Sequence, residues 1–100
     1  MAVELTFKTK KLEKCASNFR RCQREMGLVR AQRFHRRLSD LFHASSLDDL
    51  QHLPGHFHEL VGTRKGQWSC DLDQPYRLIF EPIDSAGRPI IVVVEIVDYH

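Results

Sequence analysis

The segment Glu95-Ile96-Val97-Asp98-Tyr99-His100 leads an apolar, strand-like run into a carboxylate, a phenol and an imidazole. Upstream, His58 sits in a short strand-like stretch. Arg77 interrupts Tyr76-Arg77-Leu78-Ile79-Phe80, where a guanidinium is out of place among mostly apolar neighbours. An imidazole works as acid or base near neutral pH, and a guanidinium takes a phosphate through two parallel hydrogen bonds. His58, Arg77, Asp98, Tyr99 and His100 therefore hold the groups that cleavage of an RNA phosphodiester needs. These are a base for the ribose 2′-OH, an acid for the leaving 5′-oxygen and a cation for the phosphorane. None of these roles requires a metal. His58 is the first candidate for the base. His100, read as the last residue, would carry the chain's own carboxylate, which favours imidazolium and a general-acid role. The same residues also fit a plainer pattern, a surface arginine and a polar tail.

These side chains meet only if the intervening elements bring them together. Residues 3–7 alternate as a short strand. Leu12, Cys15, Ala16, Phe19, Cys22 and Met26 fall at helical spacing and stop at Gly27. Ala31, Phe34, Leu38, Leu41 and Phe42 form the inward stripe of a second helix, with Arg30, Arg33, Arg36 and Arg37 among its outward positions. After a helical turn over 47–53, strands are predicted at 56–61, 67–72, 76–81 and 90–97. Their short connectors predict an antiparallel meander. Trp68, Cys70 and Leu72, like Tyr76, Leu78 and Phe80, alternate toward the helices, so Arg77 points away from them. The expected fold is α+β: a short N-terminal strand and a two-helix hairpin packed on one face of a mainly antiparallel sheet, with residues 1–100 as one domain. Counting from the turns sets His58 opposite Cys70, Cys70 opposite Arg77, and Arg77 opposite Val94. Asp98 to His100 then overshoot Arg77 by a few residues, within reach of its side chain.

Composition narrows the partners. Hydrophobic content of 42% and charge of 28% are ordinary for a globular chain. No apolar run approaches the roughly 20 residues of a membrane span, and the first residues lack a signal-peptide layout. The expectation is a soluble, cytoplasmic protein with no membrane contact. From Lys8 to Arg37 eleven basic residues face two acids, whereas from Leu38 onward four basic residues face ten acids. A basic half of that density suits a polyanion or an acidic partner. Cys15, Cys22 and Cys70 read as small buried hydrophobes. His52, His56 and His58 lack zinc-ligand spacing, so neither a metal nor another cofactor is expected.

The stretch Gly62 to Phe80, GTRKGQWSCDLDQPYRLIF, followed by IVVVEIVDYH, resembles the HigB-like killer branch of the RelE/ParE superfamily of toxins from type II toxin–antitoxin systems. The resemblance rests on Gly-x-Arg-Lys-Gly-x-Trp-Ser, Tyr-Arg-x-x-Phe, the Asp-Tyr-His cluster and the Leu53-Pro54-Gly55 lead-in. It implies a RelE-like microbial RNase fold and ribosome-dependent cleavage of mRNA. It also implies a cognate antitoxin, often a helix-turn-helix protein, as partner. By the same resemblance His58 is a site histidine, Arg77 contacts the scissile phosphate, and Asp98, Tyr99 and His100 complete the centre. Arg30, Arg33, Arg36 and Arg37, with Arg64 and Lys65, would then bind ribosomal or messenger RNA. Two departures stand out: Val61 where many relatives have Lys, and Thr63 where many have Asp. Lys65 lies too far along the hairpin to replace the missing cation. The rival readings are a gyrase poison of the same fold, whose members lack Asp-Tyr-His, and a catalytically weakened binding module.

Overall fold

The computed structural model describes residues 3–85 and 88–98. Strand β1 (Glu4–Phe7) leads into three helices: α1 (Lys10–Ser17), α2 (Phe19–Met26) and α3 (Leu28–His43). A short α4 (Leu47–Gln51) follows, then β2 (His58–Glu59), a 3-10 turn at Gly62–Arg64, β3 (Trp68–Asp71), β4 (Tyr76–Ser85) and β5 (Arg88–Asp98).

The expected helical hairpin is a three-helix layer. Its first helix breaks at Asn18, whose extended backbone and side chain, accepting from Arg21 N at 3.1 Å, cap α2. A good capping side chain offers the backbone an alternative to continuing the helix, and here that outweighs the unbroken apolar period. Thr9 caps α1 through Leu12 N at 3.2 Å. Between α2 and α3, Gly27 takes φ 85°, a conformation suited to glycine.

The five-stranded sheet has the order β1-β5-β4-β3-β2, with β1 parallel to β5 and every other pair antiparallel. The meander is as expected, but its register is not. His58 pairs with Ser69, Asp71 with Arg77, and Arg77 with Val97. Turn geometry explains each shift. The 3-10 turn and the Leu60 N to Gln67 O bond set the first hairpin, and Leu72 N to Tyr76 O sets the second. In the third, the expected 82–89 loop is mostly strand, continuing to the pair Ser85–Arg88, and an irregularity between Ile79 and Phe80 leaves Val94 without a partner in the ladder. Pro82 and Pro89 are tolerated because they lie beyond the ends of β3 and β1, where their strands are sheet edges.

One sheet face carries Trp68, Cys70, Leu72, Leu78, Phe80, Ile91 and Val93 into a core with Cys15, Cys22, Ala31, Phe34, Leu38, Leu41 and Leu50 from the helices. Fully burying a side chain such as Phe34 or Leu41 contributes about 1.5–3 kcal/mol. The three cysteines are free and buried. Burial pushes the thiols of Cys22 and Cys70 up to about 12. They are packing groups, not nucleophiles. No described helix is long and apolar enough to cross a membrane.

Candidate active site

The sheet face turned away from the helices is laid out by the register. His58, Ser69, Ile79 and Glu95 form one cross-strand row, and Asp71, Arg77 and Val97 form the next. Strands lie about 4.8 Å apart and same-face residues along a strand about 6.8 Å apart, so long side chains from both rows share one patch. His58 and Arg77 are therefore on the same face, as the chemistry requires. The shifted register does this, since pairing with Cys70 would have turned His58 toward the helices.

His58 is half-buried, and its Nδ1 lies 3.0 Å from the carbonyl of His56. A carbonyl only accepts, so Nδ1 carries the proton and Nε2 keeps its lone pair in the neutral ring. That is the tautomer a general base needs. His56 supplies the carbonyl from a left-handed conformation at φ 54°, and its ring stands 4.5 Å from that of His58. The preceding loop is tied to β3 by Asp71 N donating to Gly55 O at 2.7 Å.

Arg77 sits beside Asp71, with Nε 3.7 Å from Oδ1, and both side chains are about one-quarter exposed. Arg64 holds a second ion pair on the same face. Its Nη1 donates to Gln67 Oε1 at 3.1 Å and to Glu95 Oε2 at 3.3 Å. Between these partners, Ser69 and Ile79 are wholly buried, and among the described residues Ser69 Oγ has no hydrogen-bond partner. Lys65 is exposed at the end of the 3-10 turn. Val61 is 88% exposed and brings no charge to this edge.

Asp98 is placed differently from expectation. It pairs with Tyr76, so its side chain belongs to the face opposite Arg77, at an exposed position on the rim. Tyr99 and His100 lie outside the described residues.

The arginines of α3 require a correction, because they do not form one outward row of solvated cations. Arg30 clasps Asp73 through two bonds, Nε to Oδ1 at 2.9 Å and Nη2 to Oδ2 at 3.2 Å, and its guanidinium lies 3.4 Å from the Tyr76 ring centroid. The Asp73 bond raises its pKa above the ordinary arginine value. Arg37 is buried more deeply. It donates to the carbonyls of Asp71 at 2.8 Å and Pro54 at 3.2 Å, and reaches Asp40 at 3.4 Å. Arg33 touches Leu72 O at 3.4 Å, and Arg36 is 70% exposed beside Asp40. Arg30 and Arg37 thus rivet α3 to the ends of β3 and β4. The freely presented cations are elsewhere: Lys8, Lys10, Lys11, Lys14, Arg20 and Arg24 are all exposed, and among them only Lys11 has an ion pair, with Glu25 at 3.6 Å.

Sequence reasoning passed over His56, Ser69, Asp71 and Glu95. Once the register is known, the period of two that marks Arg77 as outward also marks Ser69, Asp71 and Glu95. Nothing in the sequence announces the His56 carbonyl. No group of three metal-ligating residues that could hold an ion occurs among the described residues.

No family model matches the chain, and no curated protein matches it. A solved structure does: a YoeB/ParE toxin from Agrobacterium tumefaciens superposes with a TM-score of 0.69 at 10% identity, over 98% of this chain and 100% of that one. Identity that low speaks to architecture alone, and the architecture is clear: this chain has the α+β fold of a YoeB/ParE toxin.

Proposed function

We propose that the protein is the toxin of a type II toxin–antitoxin system and a ribosome-dependent mRNA endonuclease of the HigB-like kind, acting in the cytoplasm as one domain. The observation that carries this reading is the placement, on the sheet face turned away from the helices, of a histidine in its base-competent tautomer and an arginine one row away. The superposed toxin and the Asp-Tyr-His motif support it.

In this reading His58 Nε2 takes the proton of the ribose 2′-OH. The 2′-oxygen attacks phosphorus while Arg77 balances charge on the non-bridging oxygens. The bond to the 5′-oxygen breaks, and that oxygen receives a proton from His100, the general acid, with Tyr99 next to it in sequence; Asp98, on the other face, takes no direct part. The products are a 2′,3′-cyclic phosphate and a free 5′-hydroxyl. Arg64 and Lys65 border the face as further RNA contacts. Ribosomal RNA is met by the exposed cations of α1 and α2 together with Arg33 and Arg36. Phosphate contacts of this kind position a protein without reading sequence. A helix-turn-helix antitoxin would neutralise the protein.

The test is addition of the protein to purified ribosomes carrying a defined message. Cut RNA ending in a cyclic phosphate is expected from the wild type, and loss of at least ~10²-fold from His58→Gln or His100→Ala, the usual scale for an acid or base. Intact message with all ribosome components active would refute the nuclease reading. Gyrase-dependent DNA breaks in the same preparation would replace it with the gyrase poison.

A further inference from the structure

Arg64 occupies a position that a surface ion pair does not explain. It leaves the 3-10 turn before β3, bonds Gln67 just before that strand, and ends on Glu95 of β5. Strand β4 lies between β3 and β5, so the side chain crosses the middle of the face that also carries His58 and Arg77. In the same cross-strand row as Glu95 stands Ser69, with zero exposure and a hydroxyl that has no partner among the described residues. A buried hydroxyl left without a hydrogen bond is destabilising. The Arg64 side chain is 40% exposed, and that of its partner Glu95 44%. Exposed pairs of this kind contribute little to stability, so the contact is easily exchanged. A phosphate offers the same two-oxygen acceptor as a carboxylate.

We propose that Arg64 is a transferable phosphate clamp: Glu95 holds it in the free protein, and a phosphodiester of bound RNA displaces Glu95. The movement uncovers Ser69 Oγ, which then donates to the same phosphate. The face therefore offers two cations of different standing. Arg77 is kept by Asp71 within its row, and Arg64 is released to substrate. Glu95 acts as an internal stand-in for the ligand, lowering affinity for any anion too weak to compete. The proposal rests on the RNA reading for the identity of the ligand, but its test does not require cleavage.

The test is titration of the intact protein with adenosine 3′-monophosphate, followed by backbone amide NMR shifts at Ser69, Ile79 and Glu95. Arg64→Ala should weaken binding about tenfold, a difference of 1.4 kcal/mol. Glu95→Gln should tighten it several-fold. Simple removal of a repelling charge would also tighten binding, so the double variant decides. In an Arg64→Ala background, the latch predicts that Glu95→Gln changes affinity less than about twofold, because no cation remains to be released. An equal Glu95→Gln effect in both backgrounds overturns the proposal, as does unchanged binding in Arg64→Ala. Melting temperature is measured for each variant, and Arg64→Gln, which also removes the cation, replaces Arg64→Ala if the latter is unfolded. Phosphate binding with the predicted coupling but no cut message on ribosomes would sink the nuclease reading and leave the clamp standing.

Discussion

Arg37→Ala should be among the most damaging single changes on the basic helix, and the damage should appear first as lost stability. The guanidinium is 12% exposed and donates to two backbone carbonyls, Asp71 O at 2.8 Å and Pro54 O at 3.2 Å. Hydrogen bonds from a charged donor contribute about 1.5–3 kcal/mol each, and truncation leaves both acceptors short of a partner. It also strips Asp40, 17% exposed, of one of its two arginine contacts. With partial relaxation the net loss is about 3 kcal/mol, or roughly 12–24 °C in melting temperature for a chain of this size. Arg37→Lys should recover less than half, because one ammonium cannot span both carbonyls as the planar fork does. Arg36→Ala, 70% exposed, is the control and should stay within about 0.5 kcal/mol. Thermal melts followed by circular dichroism, at matched concentration and salt, decide the matter. If Arg37→Ala melts within about 3 °C of wild type, the rivet is only decorative and the whole α3 row can again be read as solvated charge.

Arg77→Ala should abolish ribosome-dependent cleavage while the protein remains folded, and Arg77→Lys should restore little of it; equal cleavage by Ala variant and wild type would remove Arg77 from the chemistry. Replacing Lys10, Lys11, Lys14, Arg20 and Arg24 by Gln should weaken ribosome binding and reduce its salt slope by several phosphate contacts, and an unchanged slope would return these cations to the role of solvated surface. Stability should also fall at high pH. The thiols of Cys22 and Cys70 ionise at an ordinary 9.0 when unfolded but near 12 when buried. Above pH 9 the unfolded chain has therefore lost protons that the folded one keeps. Their contribution is complete below about pH 9 and is lost as pH rises toward 12. Urea midpoints at pH 8 and 10.5 should differ less in Cys70→Ala than in wild type; an identical difference would show that Cys70 does not contribute.

The alternation of Trp68, Cys70 and Leu72, and of Tyr76, Leu78 and Phe80, was enough to give the sheet its inner face and the fold its class. The meander followed from connector length. What alternation cannot supply is register, because a one-residue slip preserves the pattern within each strand and changes only who sits opposite whom. Here register is decided by the 3-10 turn at Gly62–Arg64, by the run of β4 and β5 as far as the pair Ser85–Arg88, and by the extra residue at Val94. None of these has a strong signature in residue type. Arg30 and Arg37 depart from the outward placement for a different reason. Helical spacing tells which side of α3 a residue is on, not that Asp73 and the carbonyls of Leu72 and Asp71 rise from another part of the chain to meet that side. For the site, residue type identified His58 and Arg77, while Glu95 and Ser69 became visible only through the pairing.

The place of β5 in the sheet governs the order in which this protein can be completed. It lies between β1 and β4, so without it β1 is an isolated strand and the rest is a three-stranded meander. Glu4 and Ile90 are paired neighbours drawn from far-separated parts of the chain. Synthesis delivers residues at about 5–20 per second from the N-terminal side, so a nascent chain presents β1 and the basic helices well before their sheet exists. During that interval the inner faces of α1, α2 and α3 have no floor to pack on, and Arg64 has no carboxylate to hold it. The exposed apolar stripes of the helices and the bare edge of β1 are what a binding partner or chaperone would encounter first. Docking of β5 then brings β1, the core and the row that carries Glu95 together in one step.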